Sequence, residues 1–154
     1  MIRWIAILLL AGSMFVNGEY TRATEAKPVT QASSSRFAYV DIYVDTKSES
    51  LAAYQFNFSA DQGHMTVVGI EGGEHAAFSR KPPYYDLHAI GQNRVILAAF
   101  STANDLPHGK TRIARIHLMI EGDPPHYTLK LDVAANAAGK EIAGVITFIE
   151  GATP

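Results

Sequence analysis

The six histidines of this sequence are the side chains best suited to proton transfer or metal binding. They are His64, His75, His88, His108, His117 and His126. No two of them lie two residues apart, so no pair would share one face of a strand, and none belongs to an HExxH motif. We interpret them as surface histidines and expect no metal and no other cofactor. A metal site assembled in three dimensions from loop histidines is the alternative.

Nucleophiles and carboxylates show no catalytic pattern either. The chain has no cysteine, which excludes a thiol nucleophile, a thiolate metal site and any disulfide. No GxSxG motif occurs, and Ser79 and Ser101 have no marked partner, although distant residues could still assemble a Ser-His-Asp site. Two of the scattered aspartates could face each other as in a glycosidase, but solvated strand ends are the simpler interpretation. These aspartates are Asp41, Asp45, Asp61, Asp86, Asp105 and Asp132. We predict that the protein is not an enzyme.

The segment KPPYYDLH, residues 81–88, is the stretch best suited to ligand contact. Exposed tyrosines offer a large contact area at low entropic cost, which suits sugar stacking and protein interfaces alike. The interpretation we favour is more modest: one tyrosine packs inward, and the two prolines shield a sheet edge.

The elements that would position these residues have a two-residue period, which is typical of strands. In RFAYVDIYVD, aliphatic residues alternate with aromatic and polar ones, and in LAAYQFNFSA the aromatic residues alternate with polar ones. MTVVGI and RVILAAFS follow, and we expect the latter to be buried and apolar on both faces. In TRIARIHLMIE the core set is predicted to be Arg112, Ala114, Ile116, Leu118 and Ile120. In YTLKLDVA it is Tyr127, Leu129, Leu131 and Val133.

Two short edge strands, near Ala76–Ser79 and Tyr84–Ile90, and a closing strand in AGVITFIE complete the prediction. Gly, Pro, Asn and Asp punctuate the strands, and no helical period is convincing. The sequence therefore predicts an all-β fold, a nine-stranded jelly-roll or Ig-like sandwich of two antiparallel sheets.

The N-terminus is typical of a secretory signal. Arg3 precedes an apolar run that is too short to span a membrane, and small residues follow up to Gly18. We predict a signal peptide at 1–18, a flexible linker at 19–35 and one β-sandwich domain at 36–150. The protein would be secreted or periplasmic, with a membrane contact only through an uncleaved signal. The formal charge of −2 gives no reason to expect nucleic acid as a partner.

Four segments carry a family resemblance: LAAYQFNFSADQGHMTVVGIEGG (51–73), NRVILAAFS (93–101), HGKTRIARIHLMIEG (108–122) and YTLKLDVAANAAGKEIAGVI (127–146). In strand order and turn chemistry the domain resembles the bacterial cohesin module, the receptor half of the cohesin–dockerin pair. The resemblance implies a nine-stranded jelly roll, related to the sandwiches of carbohydrate-binding modules. The chain departs from cellulosome scaffolds because it carries a single module and no dockerin-type calcium repeat.

The resemblance also implies where a protein partner would dock. Cohesins use one flat sheet face, which on this chain would be formed by outward residues of MTVVGI, YYDLH, RVILAAF and YTLKLDV. The predicted partner-binding residues are Thr66, Val68, Tyr85, Asp86, Thr128, Lys130 and Asp132. A one-residue slip in any strand would invert the choice.

The function we predict is an exported, non-catalytic binding module of cohesin type that docks a dockerin-like or other exported protein. One alternative is a carbohydrate-binding module that binds polysaccharide. It would need a coplanar row of aromatics from Tyr39, Tyr43, Tyr84 and Tyr85, because Trp4 lies in the signal. Another is a structural or adhesive subunit of a cell-surface assembly, which a long unpaired edge strand would favour.

Overall fold

The computed structural model describes residues 34–79 and 83–152, and it confirms the all-β prediction. Five strands carry the fold: β1 (Ser35–Asp45), β2 (Ala53–Gly72), β3 (Arg94–Phe100), β4 (Lys110–Ala135) and β5 (Val145–Ala152). A one-turn helix, α1 (Ala76–Ser79), and a 3-10 turn (Leu87–Ala89) lie between β2 and β3. The strands form one antiparallel sheet in the order β3-β2-β4-β1-β5.

Five strands appear instead of the nine predicted, because β2 and β4 each join two predicted strands and two short edge strands do not form. β2 runs from LAAYQFNFSA into MTVVGI, and β4 runs from TRIARIHLMIE into YTLKLDVA. Their ladder shifts register where Gln62 pairs with His126 and His64 with Glu121, which leaves residues 122–125 of β4 without ladder partners. We call this place, residues 61–63 of β2 with 122–126 of β4, the corner.

The sheet folds over on itself at the corner. Tyr54 pairs in the ladder with Ala134, yet its hydroxyl donates a 2.8 Å hydrogen bond to the carbonyl of Ile113. Ala134 and Ile113 are twenty-one residues apart on β4, a separation of roughly 70 Å in a straight strand. The two halves of the sheet therefore face each other. One half consists of β3, the first part of β2 and the last part of β4; the other consists of β1, β5, the last part of β2 and the first part of β4.

One apolar core lies between these halves, and it confirms most of the predicted strand faces. The alternating residues of β1 and the aromatic set of β2 are buried, as are the inward residues of the first part of β4. They include Ala38, Val40, Ile42, Val44, Tyr54, Phe56, Phe58, Ala114, Ile116, Leu118 and Ile120.

Two β-bulges change the predicted faces of β4, because an extra residue inverts the alternation beyond it. The β1–β4 register shifts opposite Ile42 and Tyr43 and leaves out Ile113, so Ile113 is buried and Arg112 points outward, against the prediction. The β2–β4 register likewise leaves out Asp132. Val133 is therefore 41% exposed, which corrects its assignment to the core.

β3 is a sheet edge, and the prediction that it is buried on both faces is wrong. Val95 and Leu97 point into the core, but Ile96 is 43% and Phe100 63% exposed. Only the inner face of this strand is covered by the other half of the sheet, so its outer apolar residues remain at the surface.

The two short edge strands predicted between β2 and β3 are also wrong. At 76–79 the chain forms α1, because His75 caps it: the ring Nδ1 accepts from the N–H of Ala77, and Phe78 packs edge-to-face on Tyr54. From 84 onward only Tyr84 pairs with a strand, through two backbone hydrogen bonds with Ala98. Asp86 then accepts from the N–H of His88 and starts the 3-10 turn.

The predicted signal (1–18) and most of the predicted linker lie outside the described residues. β1 begins at Ser35, next to the boundary predicted at residue 36, and β5 runs two residues past the predicted end at 150.

Two buried tyrosine hydroxyls should respond oppositely to removal. The hydroxyl of Tyr54 donates a hydrogen bond to the carbonyl of the bulge residue Ile113. The hydroxyl of Tyr127 is buried and makes no hydrogen bond of good geometry within the described residues. We expect Tyr54→Phe to lower the free energy of unfolding by about 2 kcal/mol, because a buried carbonyl loses its partner. Tyr127→Phe, the matched control, should leave it unchanged or raise it. Urea unfolding of both variants measures the difference, and equal losses would contradict this account.

Candidate binding surface

Several exposed apolar side chains lie on the outer face of the half of the sheet that contains β3. In the ladder, Asn57 pairs with Ile96 on one side and Lys130 on the other, and Gln55 pairs with Ala98 and Val133. Residues paired in a ladder point to the same side of the sheet. We call this the β3 surface; its members are Tyr84, Arg94, Ile96, Ala98, Phe100, Gln55, Asn57, Thr128, Lys130 and Val133.

Tyr84 and Phe100 form the most exposed part of the β3 surface. Their rings are nearly parallel, at 8°, with centroids 6.0 Å apart, and their exposures are 61% and 63%. The Tyr84–Ala98 pairing holds Tyr84 beside β3 and so fixes the arrangement. A groove of about 480 Å³ adjoins the two rings, lined also by α1 and residues 101–105. This arrangement can contact an apolar side chain or a sugar ring.

Polar groups border the apolar part of the β3 surface and are tied to one another. The guanidinium of Arg94 donates to the side-chain oxygen of Asn57 at 3.1 Å, and Lys130 lies 2.8 Å from Asp132. At the corner, His126 contacts the carboxylate of Asp61 at 2.6 Å and lowers the pKa of that carboxyl. The β3 surface therefore has an apolar edge along β3 and mainly polar side chains on β2 and β4, a mixture that occurs in protein-binding surfaces.

The structure brings together only some of the predicted partner-binding residues. Thr128 and Lys130 lie on the β3 surface, and Asp132 joins them through its contact with Lys130. Asp86 is exposed but caps the 3-10 turn. Thr66 and Val68 lie in the second half of β2, beyond the corner, where Thr66 pairs with Met119. On the predicted docking face, the position assigned to MTVVGI is occupied by LAAYQFNFSA, which pairs with β3.

Tyr85 packs against the core, while Tyr84 is exposed, so the interpretation that one tyrosine of KPPYYDLH points inward is confirmed. Pro83 is buried; Pro82 lies outside the described residues. Sequence reasoning missed Ile96, Phe100 and Val133. Period two in RVILAAFS places Ile96 and Phe100 on one face, but no signal in the sequence shows that the strand is an edge.

A row of four tyrosines does not form. Tyr39 and Tyr43 lie on β1, on the outer face of the other half of the sheet, and each is covered by a cation. Arg115 lies 4.1 Å from the centroid of the Tyr39 ring, and Lys110 lies 5.0 Å from that of Tyr43. Tyr84 is left to pair with Phe100.

That other outer face, which we call the β1 surface, carries an ion network around Asp41. Arg115 donates to both carboxylate oxygens of Asp41, at 2.7 and 2.8 Å, and Arg112 lies 3.7 Å away. The bulge at Ile113 makes this possible, because it turns Arg112 to the same face as Arg115. His117 contacts Glu71 at 2.8 Å beside them. Both arginines lie within ion-pair distance of Asp41, so the contacts of this network are satisfied within the protein.

The groove next to Phe100 is lined by a serine and an aspartate, and a histidine lies beside it. The hydrogen bonds of these three side chains decide whether they could act as a catalytic triad. His75 Nδ1 accepts from the N–H of Ala77, which places the ring proton on Nε2, 3.6 Å from Asp105. Neither nitrogen is then free to take a proton from Ser101, whose Oγ accepts from the N–H of Ala103. The three side chains do not form a Ser-His-Asp site.

Within residues 34–79 and 83–152, no three His, Asp or Glu side chains cluster as metal ligands, and no helix is long and apolar enough to cross a membrane. Known proteins supply no further guide: no family model, curated protein or solved structure matches this chain.

Proposed function

We propose that the protein is an exported, non-catalytic binding module that holds a protein partner through the β3 surface. The observation that carries the proposal is the clustering of Tyr84, Ile96 and Phe100, all more than 40% exposed, along β3 on one outer face. Val133 lies on the same face, separated from β3 by Gln55 of β2. Exposed apolar side chains that lie together beside polar groups mark interaction sites. The partner is an exported protein, dockerin-like or other, and the signal at 1–18 delivers the module to the periplasm or the medium.

The same proposal includes the finer fold: a two-sheet jelly-roll sandwich of cohesin type. Its support is the folding-over at the corner, which sets two groups of strands face to face around one core. Gly144 shows how closely they approach, because a Cβ placed there would lie 3.3 Å from Val44 and 3.1 Å from Leu131, which belong to opposite halves. If each half of β2 and β4 is taken as a strand, the five strands become seven, two fewer than the nine of the cohesin pattern.

A polysaccharide ligand is the second candidate, and the near-parallel Tyr84 and Phe100 rings favour it specifically. Aromatic faces stack on sugar rings, and the adjoining groove gives space for a chain. The candidate rests on two rings, since Tyr39 and Tyr43 are covered by Arg115 and Lys110 on the other surface.

Phe100→Ala tests the proposal, with Phe37→Ala as a matched control. Phe37 is 60% exposed, close to the 63% of Phe100, but it lies at the start of β1, away from the β3 surface. Wild-type protein would be used to capture partners from the exported proteins of its own organism, and the purified partner would be titrated against all three proteins. We expect Phe100→Ala to weaken binding at least tenfold, about 1.4 kcal/mol, and Phe37→Ala to change it less than twofold.

Affinity electrophoresis on polysaccharide gels would run in parallel. If polysaccharide retards the wild-type protein and Phe100→Ala abolishes this retardation, the ligand of the β3 surface is polysaccharide and not a protein. Partner binding that is lost in Phe37→Ala but kept in Phe100→Ala would refute the β3 surface as the site.

A further inference from the structure

β5 is the other edge of the sheet, and it lacks the features that usually block edge pairing. Its ladder with β1 is regular over all eight residues, from Val145 to Ala152, with no bulge. Within the described residues no strand pairs with its other side. The run VITFI contains no proline and no charge before Glu150. Edges of this kind add a further strand unless a charge, proline, bulge or covering segment prevents it.

β5 has exposed apolar side chains on both faces of the sheet. Val145, Thr147 and Ile149 point outward with Tyr43 and Asp41, their ladder neighbours on β1. Val145 is 58% and Ile149 52% exposed, and Phe148, on the opposite face, is 39% exposed. The β3 edge differs, because Tyr84 already pairs with it.

The order of residues in β5 is complementary to itself. In an antiparallel pair centred on Thr147, Val145 of one copy faces Ile149 of the other, and Ile146 faces Phe148. Thr147 then faces its own equivalent, and Glu150 faces Gly144. Moving the centre to Phe148 would place Glu150 against Ile146, and moving it to Ile146 would place Phe148 against Gly144. Only the register centred on Thr147 pairs every exposed apolar side chain with another.

We propose that two copies of this chain associate through antiparallel β5 strands, with a two-fold axis at Thr147. The contact joins two five-stranded sheets into one continuous sheet and uses the same surface on both copies, so it closes as a dimer. It leaves the β3 surface of each copy open, on the opposite edge, and the dimer would therefore present two copies of that surface.

A single cysteine at the axis tests the dimer, because the chain has no cysteine of its own. In Thr147→Cys the two thiols would face each other across the axis, at the spacing that a disulfide requires. The Thr147→Cys variant would be purified in its exported form. We expect mild oxidation to convert most of it to a covalent dimer. Thr128→Cys, an exposed threonine on the β3 surface, should stay monomeric. Equal crosslinking of both variants, or none at Thr147→Cys, would overturn the proposal.

Charge variants at the same position give an independent readout. Thr147→Lys and Thr147→Asp would each place like charges opposite one another and should remain monomeric in sedimentation velocity, while wild type approaches twice the monomer mass with rising concentration. An equimolar mixture of the two variants should regain the dimer. A wild type that stays monomeric at all concentrations would refute the proposal. That outcome would have no bearing on partner binding at the β3 surface, which lies on the opposite edge.

Discussion

Gly63→Ala is expected to lower the free energy of unfolding by about 3 kcal/mol. Gly63 lies at the corner with a φ of +78°, in the left-handed region that side chains with a Cβ rarely adopt. A Cβ there would also lie 2.8 Å from the backbone Cα of Pro125 on β4, and a backbone atom cannot move aside cheaply. The substitution therefore opposes the bend that lets the two halves of the sheet face each other.

Gly122→Ala is the matched control, since it shares the backbone conformation without the close approach. Its φ is +74°, and among the described residues nothing lies within 4 Å of the position that a Cβ would occupy. We expect a loss of about 1 kcal/mol, from backbone conformation alone. Urea unfolding with unchanged m-values measures both losses. Equal losses in the two variants would show that the Pro125 contact does not hold the corner closed.

Asp41→Asn should cost about 3 kcal/mol of unfolding free energy. The side chain is only 10% exposed, and its carboxylate accepts two hydrogen bonds from Arg115, with Arg112 also within ion-pair distance. The same contact raises the pKa of the Arg115 guanidinium above its ordinary value. The amide keeps the size of the side chain but removes the charge, so both cations lose their counterion.

Asp132→Asn provides the comparison at a carboxylate whose partner is solvated. Its cation, Lys130, has a side chain that is 74% exposed, and pairs of that kind contribute little. We expect a change within about 0.5 kcal/mol. If Asp41→Asn lowered the free energy of unfolding as little as Asp132→Asn in the same experiment, the network around Asp41 would not contribute to stability.

The strand faces were predictable because alternation depends only on neighbouring residues. Tyr54, Phe56 and Phe58 of β2 are inward as expected, and so are the aliphatic residues of β1. Bulges were not predictable, since nothing in the composition around Ile113 or Asp132 distinguishes an extra residue from a regular one. Each bulge turned the next residues over, which exposed Val133 and brought Arg112 beside Asp41.

The candidate site was predictable only in part, because it depends on which strands lie next to one another. Alternation predicted that Thr128 and Lys130 point outward, and both are exposed on the outer face of the sheet. Thr66 and Val68 were misplaced because β2 crosses the corner and serves both halves of the sheet. The exposure of Phe100 follows from the edge position of β3, which is a property of the whole sheet and not of its local sequence.

The position of β1 between β4 and β5 has a consequence for the order in which the molecule assembles. Both neighbours of β1 come late in the chain: Asp45 pairs with Lys110 and with Val145. β1, the first strand of the described residues, therefore has no partner until β4 has been synthesised, and pairings between such distant residues form slowly. Truncation before β5 would remove one of the two strands that pair with β1 in the described part of the chain, so β1 has both neighbours only once β5 has formed.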